Sequence, residues 1–280
     1  MCFVFLKSNV TDHPAWDILD GHDCGESAAD RIIGGKNAAL GQFPWIVRLG
    51  YSEAKDKDLD WMCGGVLVTK LHVVTAAHFL FSRLIRMGEY NSLTNPDCQL
   101  GVCAPPIQDR GIKNIWIHEN YQKPPFHNDI AVIKLERPVS LNDYVVPICL
   151  PRDEEQRTPP NVGDDITLSG WGITNMTSGM RANIAQYITV PIVDPNMCDH
   201  FGKKFNITVS ELCAGAQKDK DSCNGDSGGP AIKVFDTPEG PKNILVGVVS
   251  FGPSHCGIKK PGVYTSVSYF LTWILDHVVM

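Results

Sequence analysis

Apolar residues in this chain come in short bursts. Pro44-Trp45-Ile46-Val47-Arg48-Leu49, Gly64-Gly65-Val66-Leu67-Val68 and Val73-Val74-Thr75-Ala76-Ala77 are rich in β-branched or aromatic side chains, with polar turns between them. Asn128 and Asp129 open a further apolar run that ends at Leu135. From Asp165 onward the pattern repeats, in Ile166 to Gly172, Leu245 to Phe251 and Gly262 to Val267. Regular short strands with turn signals between them predict an all-β fold, a sandwich or a barrel. The last segment differs. Phe270, Trp273, Ile274 and Val278 fall near helical spacing, which predicts a helix over Tyr269 to Val279 packed on the body. Asp276 and His277 interrupt it, which argues against a membrane anchor. Met1 to Arg31 is polar and irregular, and no packed core is expected there.

Length and charge narrow the class. With 280 residues the chain can form one large unit or two small barrels with cores of their own. Its net charge is −6 and it has no basic run of five residues, which excludes nucleic acid and other polyanions as expected partners. No apolar run reaches transmembrane length. Cys2 to Leu6 is apolar but ends at Lys7, too short for a signal-peptide core. Ten cysteines point to an oxidising compartment. The expectation is a secreted monomer whose natural N-terminus lies further upstream.

The chemistry concentrates at Asp221-Ser222-Cys223-Asn224-Gly225-Asp226-Ser227-Gly228-Gly229-Pro230. Glycines free the backbone for tight turns and let its N–H groups approach a ligand. A serine there is a candidate nucleophile, but a hydroxyl needs a base, and the base needs an orienting partner. Gly225 to Gly229 also fits the G-x-S-x-G elbow of α/β-hydrolases. That elbow needs a strand before it and a helix after it. Here the approach is polar, and the residues after Pro230 are β-prone, which argues against it. Upstream, Val73 to His78 is a β-prone run ending in histidine, and Asp129 opens an apolar strand. The order His78, Asp129, Ser227 is that of chymotrypsin, not of subtilisin or the hydrolases.

Thr75-Ala76-Ala77-His78, Asp129-Ile130-Ala131 and Gly225 to Pro230 together resemble the motifs of the trypsin-like serine proteases, over Ile32 to about Val279. The resemblance implies two antiparallel Greek-key β-barrels, with the site between them, and a C-terminal helix. It implies His78, Asp129 and Ser227 as catalytic residues and the N–H groups of Gly225 and Ser227 as the oxyanion hole. Asp221 falls at the base of the specificity pocket, where a carboxylate selects Arg or Lys before the cut. Gly252 and Gly262 match the small residues that keep that pocket open. Ser250 to Gly252 would pair with the substrate backbone as an added strand. Arg31-Ile32-Ile33-Gly34-Gly35 resembles an activation site. Cleavage after Arg31 would free an ammonium group on Ile32 to pair with Asp226, so residues 1–31 read as a prosegment and 32–280 as the protease domain.

The resemblance suggests four disulfides: Cys24–Cys149, Cys98–Cys103, Cys198–Cys213 and Cys223–Cys256. Cys98–Cys103 resembles the protease domains of arthropod clip-domain enzymes. The clip module itself needs six cysteines, and within this sequence only Cys2 and Cys24 precede Ile32. Cys63 departs from the family pattern, because its usual partner directly after the histidine is Phe79 here. It is therefore expected to be a free, buried thiol. Asn9, Asn175 and Asn206 head glycosylation sequons, the latter two plausible as surface sites. Glu89 with Asp97 or Asp109 could hold calcium, but a solvated acidic loop is the preferred reading. No metal or other cofactor is expected. Pro261 stands where sodium-binding members carry an aromatic residue, so sodium activation is not expected.

The function implied is a secreted, zymogenic endopeptidase cutting after Arg or Lys. Its partners would be protein substrates, an activating protease and a protein inhibitor. The alternative is a non-catalytic homologue that acts as a binding cofactor. Such relatives lose a triad residue, whereas all three are present here.

Overall fold

The computed structural model describes residues 10–27, 37–51, 59–78, 82–175, 178–202, 205–217, 225–253 and 258–280. Helix α1 (Ala15–Leu19) precedes strands β1 (Ile46–Tyr51), β2 (Asp60–Leu67), β3 (His72–Thr75) and β4 (Ser82–Met87). A small hairpin, β5 (Cys98–Gln99) and β6 (Val102–Cys103), leads into β7 (Gln108–Ile117) and β8 (Ala131–Leu135). Strands β1-β2-β3-β8-β7-β4 close into a barrel. Val47, Leu49, Leu67, Val73, Ile85, Met87, Ile133 and Leu135 fill it.

After α2 (Glu154–Arg157) come β9 (Asp165–Gly170), the hairpin β10 (Ile173–Asn175) and β11 (Met180–Arg181), and β12 (Gln186–Pro191). The second unit is completed by β13 (Glu211–Gly215), β14 (Pro230–Thr237), β15 (Gly240–Phe251) and β16 (Pro261–Ser266). Its six-stranded sheet runs β12-β9-β14-β15-β16-β13. A bridge between Ile192 and Ala214, beyond the end of β12, draws its two edges together. Closure of this kind removes exposed strand edges. The core lies inside each barrel-like sheet and between the two.

Helix α3 (Val267–Val278) ends the fold. Val267, Phe270, Leu271, Ile274, Leu275 and Val278 are buried at the spacing of one helical face. That face also corrects the reading of the N-terminal segment. Ala15, Trp16 and Leu19 are buried in the same cluster as Leu271, Ile274 and Leu275. Residues 10–27 thus contribute to a core that a coreless tail would not have. Three buried apolar side chains on a five-residue helix are too few to show a period, and the rest of their core comes from distant residues. Polar contacts fix the docking. The Ala15 N–H donates to His13 Nδ1, leaving Nε2–H to donate to Asp276 on α3 at 3.0 Å. The Trp16 indole N–H donates to Val10 O at 2.7 Å, and Arg152 stacks over its ring.

Disulfides join Cys24 to Cys149, Cys98 to Cys103 and Cys198 to Cys213. The first ties the N-terminal segment to the body. Cys63 is a free, buried thiol. Burial pushes its pKa up to about 12, so it stays protonated and inert at neutral pH.

Candidate active site

Strand register gathers the candidate residues. In the β3–β8 pair, Thr75 faces Ala131. His78 follows β3 by three residues and Asp129 precedes β8 by two, so both leave the first barrel at the same end. In the β14–β15 pair, Pro230 faces Val248. Ser227, three residues before β14, and Ser250, near the end of β15, likewise emerge together from the second sheet.

Asp129 is buried, with its side chain 6% exposed, against 28% for His78. Its Oδ1 accepts the His78 backbone N–H at 3.0 Å, and its Oδ2 lies 2.7 Å from His78 Nδ1. This carboxylate therefore favours the Nδ1–H tautomer and leaves Nε2 as the basic nitrogen. Two further bonds arrive from the other sheet. The Ser250 hydroxyl donates to Asp129 Oδ2 at 2.5 Å, and the Thr265 hydroxyl donates to the Asp129 carbonyl at 2.8 Å. A buried carboxylate needs such partners, since an unpaired charge there is costly. The sequence reading missed this use of the Ser250 side chain. A serine in an apolar strand carries no local signature, although one that is 2% exposed must find a partner.

Ser227 sits on a loop clamped to both sheets. Its carbonyl accepts from Gly64 N–H of β2 at 2.9 Å, while Gly228 N–H donates to Val249 O of β15 at 2.8 Å. Gly228 has φ +80°, and a Cβ there would overlap Thr75 Oγ1 and Gly64 O. Only glycine lets the loop lie this close to the strand that leads to His78. Gly225 has φ +109°, also a glycine conformation. Among the described residues, no group accepts a hydrogen bond from Gly225 N–H or Ser227 N–H. The Asp226 carboxylate lies against Gly170 and Gly172. Its Oδ1 accepts Gly172 N–H at 2.8 Å, and a side chain at Gly170 or Gly172 would overlap its carboxylate.

The remaining candidates divide. A Cβ on Gly252 would meet open space, whereas one on Gly262 would lie 3.4 Å from the Tyr264 hydroxyl. Asn206 is exposed. Arg31, Ile32, Asp221, Cys223, Cys256, Phe79 and Asn9, and the side chain of Asn175, lie outside the described residues. Beside the Ser250–Gly252 strand stands an aromatic wall: Phe126, 49% exposed, with its ring 5.6 Å from Phe251. Phe201 and Phe205 each pack edge-on against Phe251 at 5.0 Å.

The acidic residues of the insert are not a solvated loop. Glu89 is 7% and Asp97 1% exposed. Glu89 lies 3.9 Å from Arg48 and 3.5 Å from Arg86, and Asp109 takes two 2.8 Å bonds from Arg86. Asp97 accepts the N–H groups of Tyr90 and Asn91. Arginines hold Glu89 through Oε2 and Asp109 through both oxygens, and backbone donors hold Asp97, which offsets the cost of burial; Glu89 Oε1 is buried with no partner among the described residues. Among the described residues no cluster of three or more His, Cys, Asp or Glu is arranged to hold a metal. A cavity of about 480 Å³ lies between residues 16–24 and the body, lined by Trp16, His22, Ile148 and Ile244 among others, and it shares no residue with the site.

The Trypsin family profile matches residues 32–274. The chain is 36% identical to the CLIP domain-containing serine protease HP8 of Bombyx mori, over 97% of this chain and 76% of that protein. It is 38% identical to the Spaetzle-processing enzyme of Drosophila melanogaster, over 92% of this chain and 69% of that one. The crystal structure of the Drosophila Grass clip serine protease of the Toll pathway superposes with a TM-score of 0.82 at 31% identity, over 93% of this chain and 75% of that chain. By sequence and fold, the chain belongs to the trypsin family of serine proteases and is similar there to clip-domain enzymes.

Proposed function

We propose that this chain is an active, secreted endopeptidase that hydrolyses peptide bonds after Arg or Lys once it has been cleaved after Arg31. The observation that carries the reading is the Asp129 carboxylate, which holds His78 at both its backbone N–H and Nδ1. That is the arrangement a general base requires. Ser227 Oγ attacks the scissile carbonyl while His78 Nε2 takes its proton. The N–H groups of Gly225 and Ser227 stabilise the oxyanion, and His78 then protonates the leaving amine. The Asp129 carboxylate orients the imidazole and stabilises the imidazolium. Asp221 supplies the carboxylate for the substrate's basic side chain. Asp226 receives the new Ile32 ammonium group, coupling cleavage to assembly of the site.

Relatives bearing the names Spaetzle-processing enzyme and Phenoloxidase-activating factor 3 support a place in a proteolytic cascade, with a protein substrate and an activating protease. The disulfides of the fold support secretion. The competing reading, a non-catalytic homologue, draws on one departure, the unbridged Cys63. The test is labelling with a serine-directed phosphonate, before and after cleavage at Arg31, with Ser227→Ala as control. Labelling of the cleaved wild type alone supports the proposal. Absence of labelling and of Arg-amide hydrolysis after complete cleavage refutes it.

A further inference from the structure

A peptide that enters along Ser250 to Gly252 and presents its carbonyl to Gly225 must leave on the far side of Ser227. The described residues there come from β2 and from the β10–β11 hairpin. Met62, 40% exposed, precedes Cys63 and Gly64, and Gly64 N–H binds the Ser227 carbonyl. A Cβ built on Gly225 would lie 3.6 Å from Met62 O and 3.7 Å from Arg181 Nε. Arg181 therefore stands directly beside the glycine assigned to the oxyanion hole.

Arg181 is held in place. Its Nη1 donates to Trp61 O at 2.7 Å. The same Trp61 ring carries Arg86 at 4.2 Å and Arg48 at 5.7 Å. Arg48 and Arg86 have carboxylate partners in Glu89 and Asp109. Among the described residues no carboxylate pairs with Arg181. Among the described residues Glu89 and Asp109 thus pair with Arg48 and Arg86, and Arg181, the guanidinium beside Gly225, is the one of the three that touches no carboxylate. A guanidinium with one fixed bond to a carbonyl still offers a fork of N–H donors suited to a carboxylate.

We propose that Arg181 is a specificity-determining residue that selects an acidic side chain, Asp or Glu, at the first two positions after the scissile bond. An extended peptide advances about 3.3 Å per residue, so those two positions span about 7 Å beyond the oxyanion site. That is within reach of a guanidinium whose Nε would touch a side chain at Gly225, 3.7 Å from its Cβ. The inference rests on the proposed function, since it needs Gly225 to mark the scissile carbonyl.

The experiment uses the cleaved protein and matched quenched-fluorescence peptides that share one Arg before the cut, with Glu-Glu, Gln-Gln or Lys-Lys after it. A partly exposed pair predicts up to about fivefold higher kcat/KM for Glu-Glu over Gln-Gln, with a larger ratio over Lys-Lys. The preference should shrink as salt rises. Arg181→Glu should invert the Glu-to-Lys ratio, and Arg181→Lys should retain its direction. Each ratio is taken within one variant, so partial misfolding does not distort it, and the wild-type salt series stands without any variant. Equal rates for the three peptides, or a Glu preference that survives in Arg181→Glu, overturns the inference alone. Failure of the cleaved wild type to cut any of them after Arg overturns the proposed function and this inference with it.

Discussion

Replacing Trp16 with alanine tests how the N-terminal segment is held. Trp16 is 5% exposed in a cluster with Leu271, Ile274 and Leu275. A buried tryptophan removes about 150–250 Å² from water. At about 25 cal/mol per Å² the burial is worth about 4–6 kcal/mol, an upper bound because unfolded chains already bury some of that surface. Alanine keeps part of the burial but leaves a cavity, and large-to-small changes of this kind cost about 3–5 kcal/mol. The indole N–H bond to Val10 O and the Arg152 stacking are lost too. For a chain of this size each kcal/mol moves Tm by about 2–4 °C, so a fall of about 6–20 °C is expected. Calorimetry of wild type and Trp16→Ala with all disulfides intact measures it. The Cys24–Cys149 bond is present in both proteins, so the difference reports the contacts of Trp16 and not the covalent tether. A shift under about 2 °C would mean that the segment is tethered but does not contribute to the core.

Other predictions follow from single groups. Burial lowers the His72 pKa to about 4, so the folded protein binds fewer protons than the unfolded chain between pH 6.5 and 4. Stability contributed by neutral His72 is present above pH 6.5 and is lost as pH falls to about 4, by about 3 kcal/mol in all. Denaturant titrations across that range should give a shallower slope for His72→Gln, and an unchanged slope would contradict the assignment. Cys63, with its pKa pushed up to about 12, should resist thiol reagents at pH 8 in the folded protein and react once denaturant is added; peptide mapping of the labelled site decides. Asp221→Ser should abolish the preference for Arg and Lys while phosphonate labelling of Ser227 persists, a combination that loss of folding could not produce. Ser250→Ala should lower kcat more than KM, by about tenfold, because it removes a bond that orients Asp129 rather than one to substrate; an effect confined to KM would place Ser250 in binding instead.

Much of the strand pattern was legible because apolar bursts mark strands that face a core. Val73 to Ala77 and Leu245 to Phe251 are examples, and both lie within or beside observed strands. Strand β7 escaped such a reading. None of its ten residues is fully buried; Ile112, Ile115 and Trp116 are only partly buried against the core, and pairing with β4 and β8 holds the rest. The candidate site was legible where a motif fixes a local backbone form, as at Gly225 and Gly228. It was not legible where a distant partner decides the role. Ser250, Arg181 and Glu89 look like ordinary strand or loop residues until the fold brings Asp129, Gly225 and the arginines to them. The buried charges misled for the same reason: burial of Glu89 depends on Arg48 and Arg86, and no spacing rule connects them.

The bonds around Asp129 make it a seam as well as a charge. His78 grips it from the first barrel, while Ser250 and Thr265 grip it from the second. Any sliding of one barrel across the other must therefore break a bond to this one residue. The imidazole's aim is thus tied to the fit between two halves of the molecule, each with its own core. Mild denaturant or a substitution at the inter-barrel face should erode turnover before either barrel melts, so that activity becomes the most sensitive gauge of how well the halves are joined.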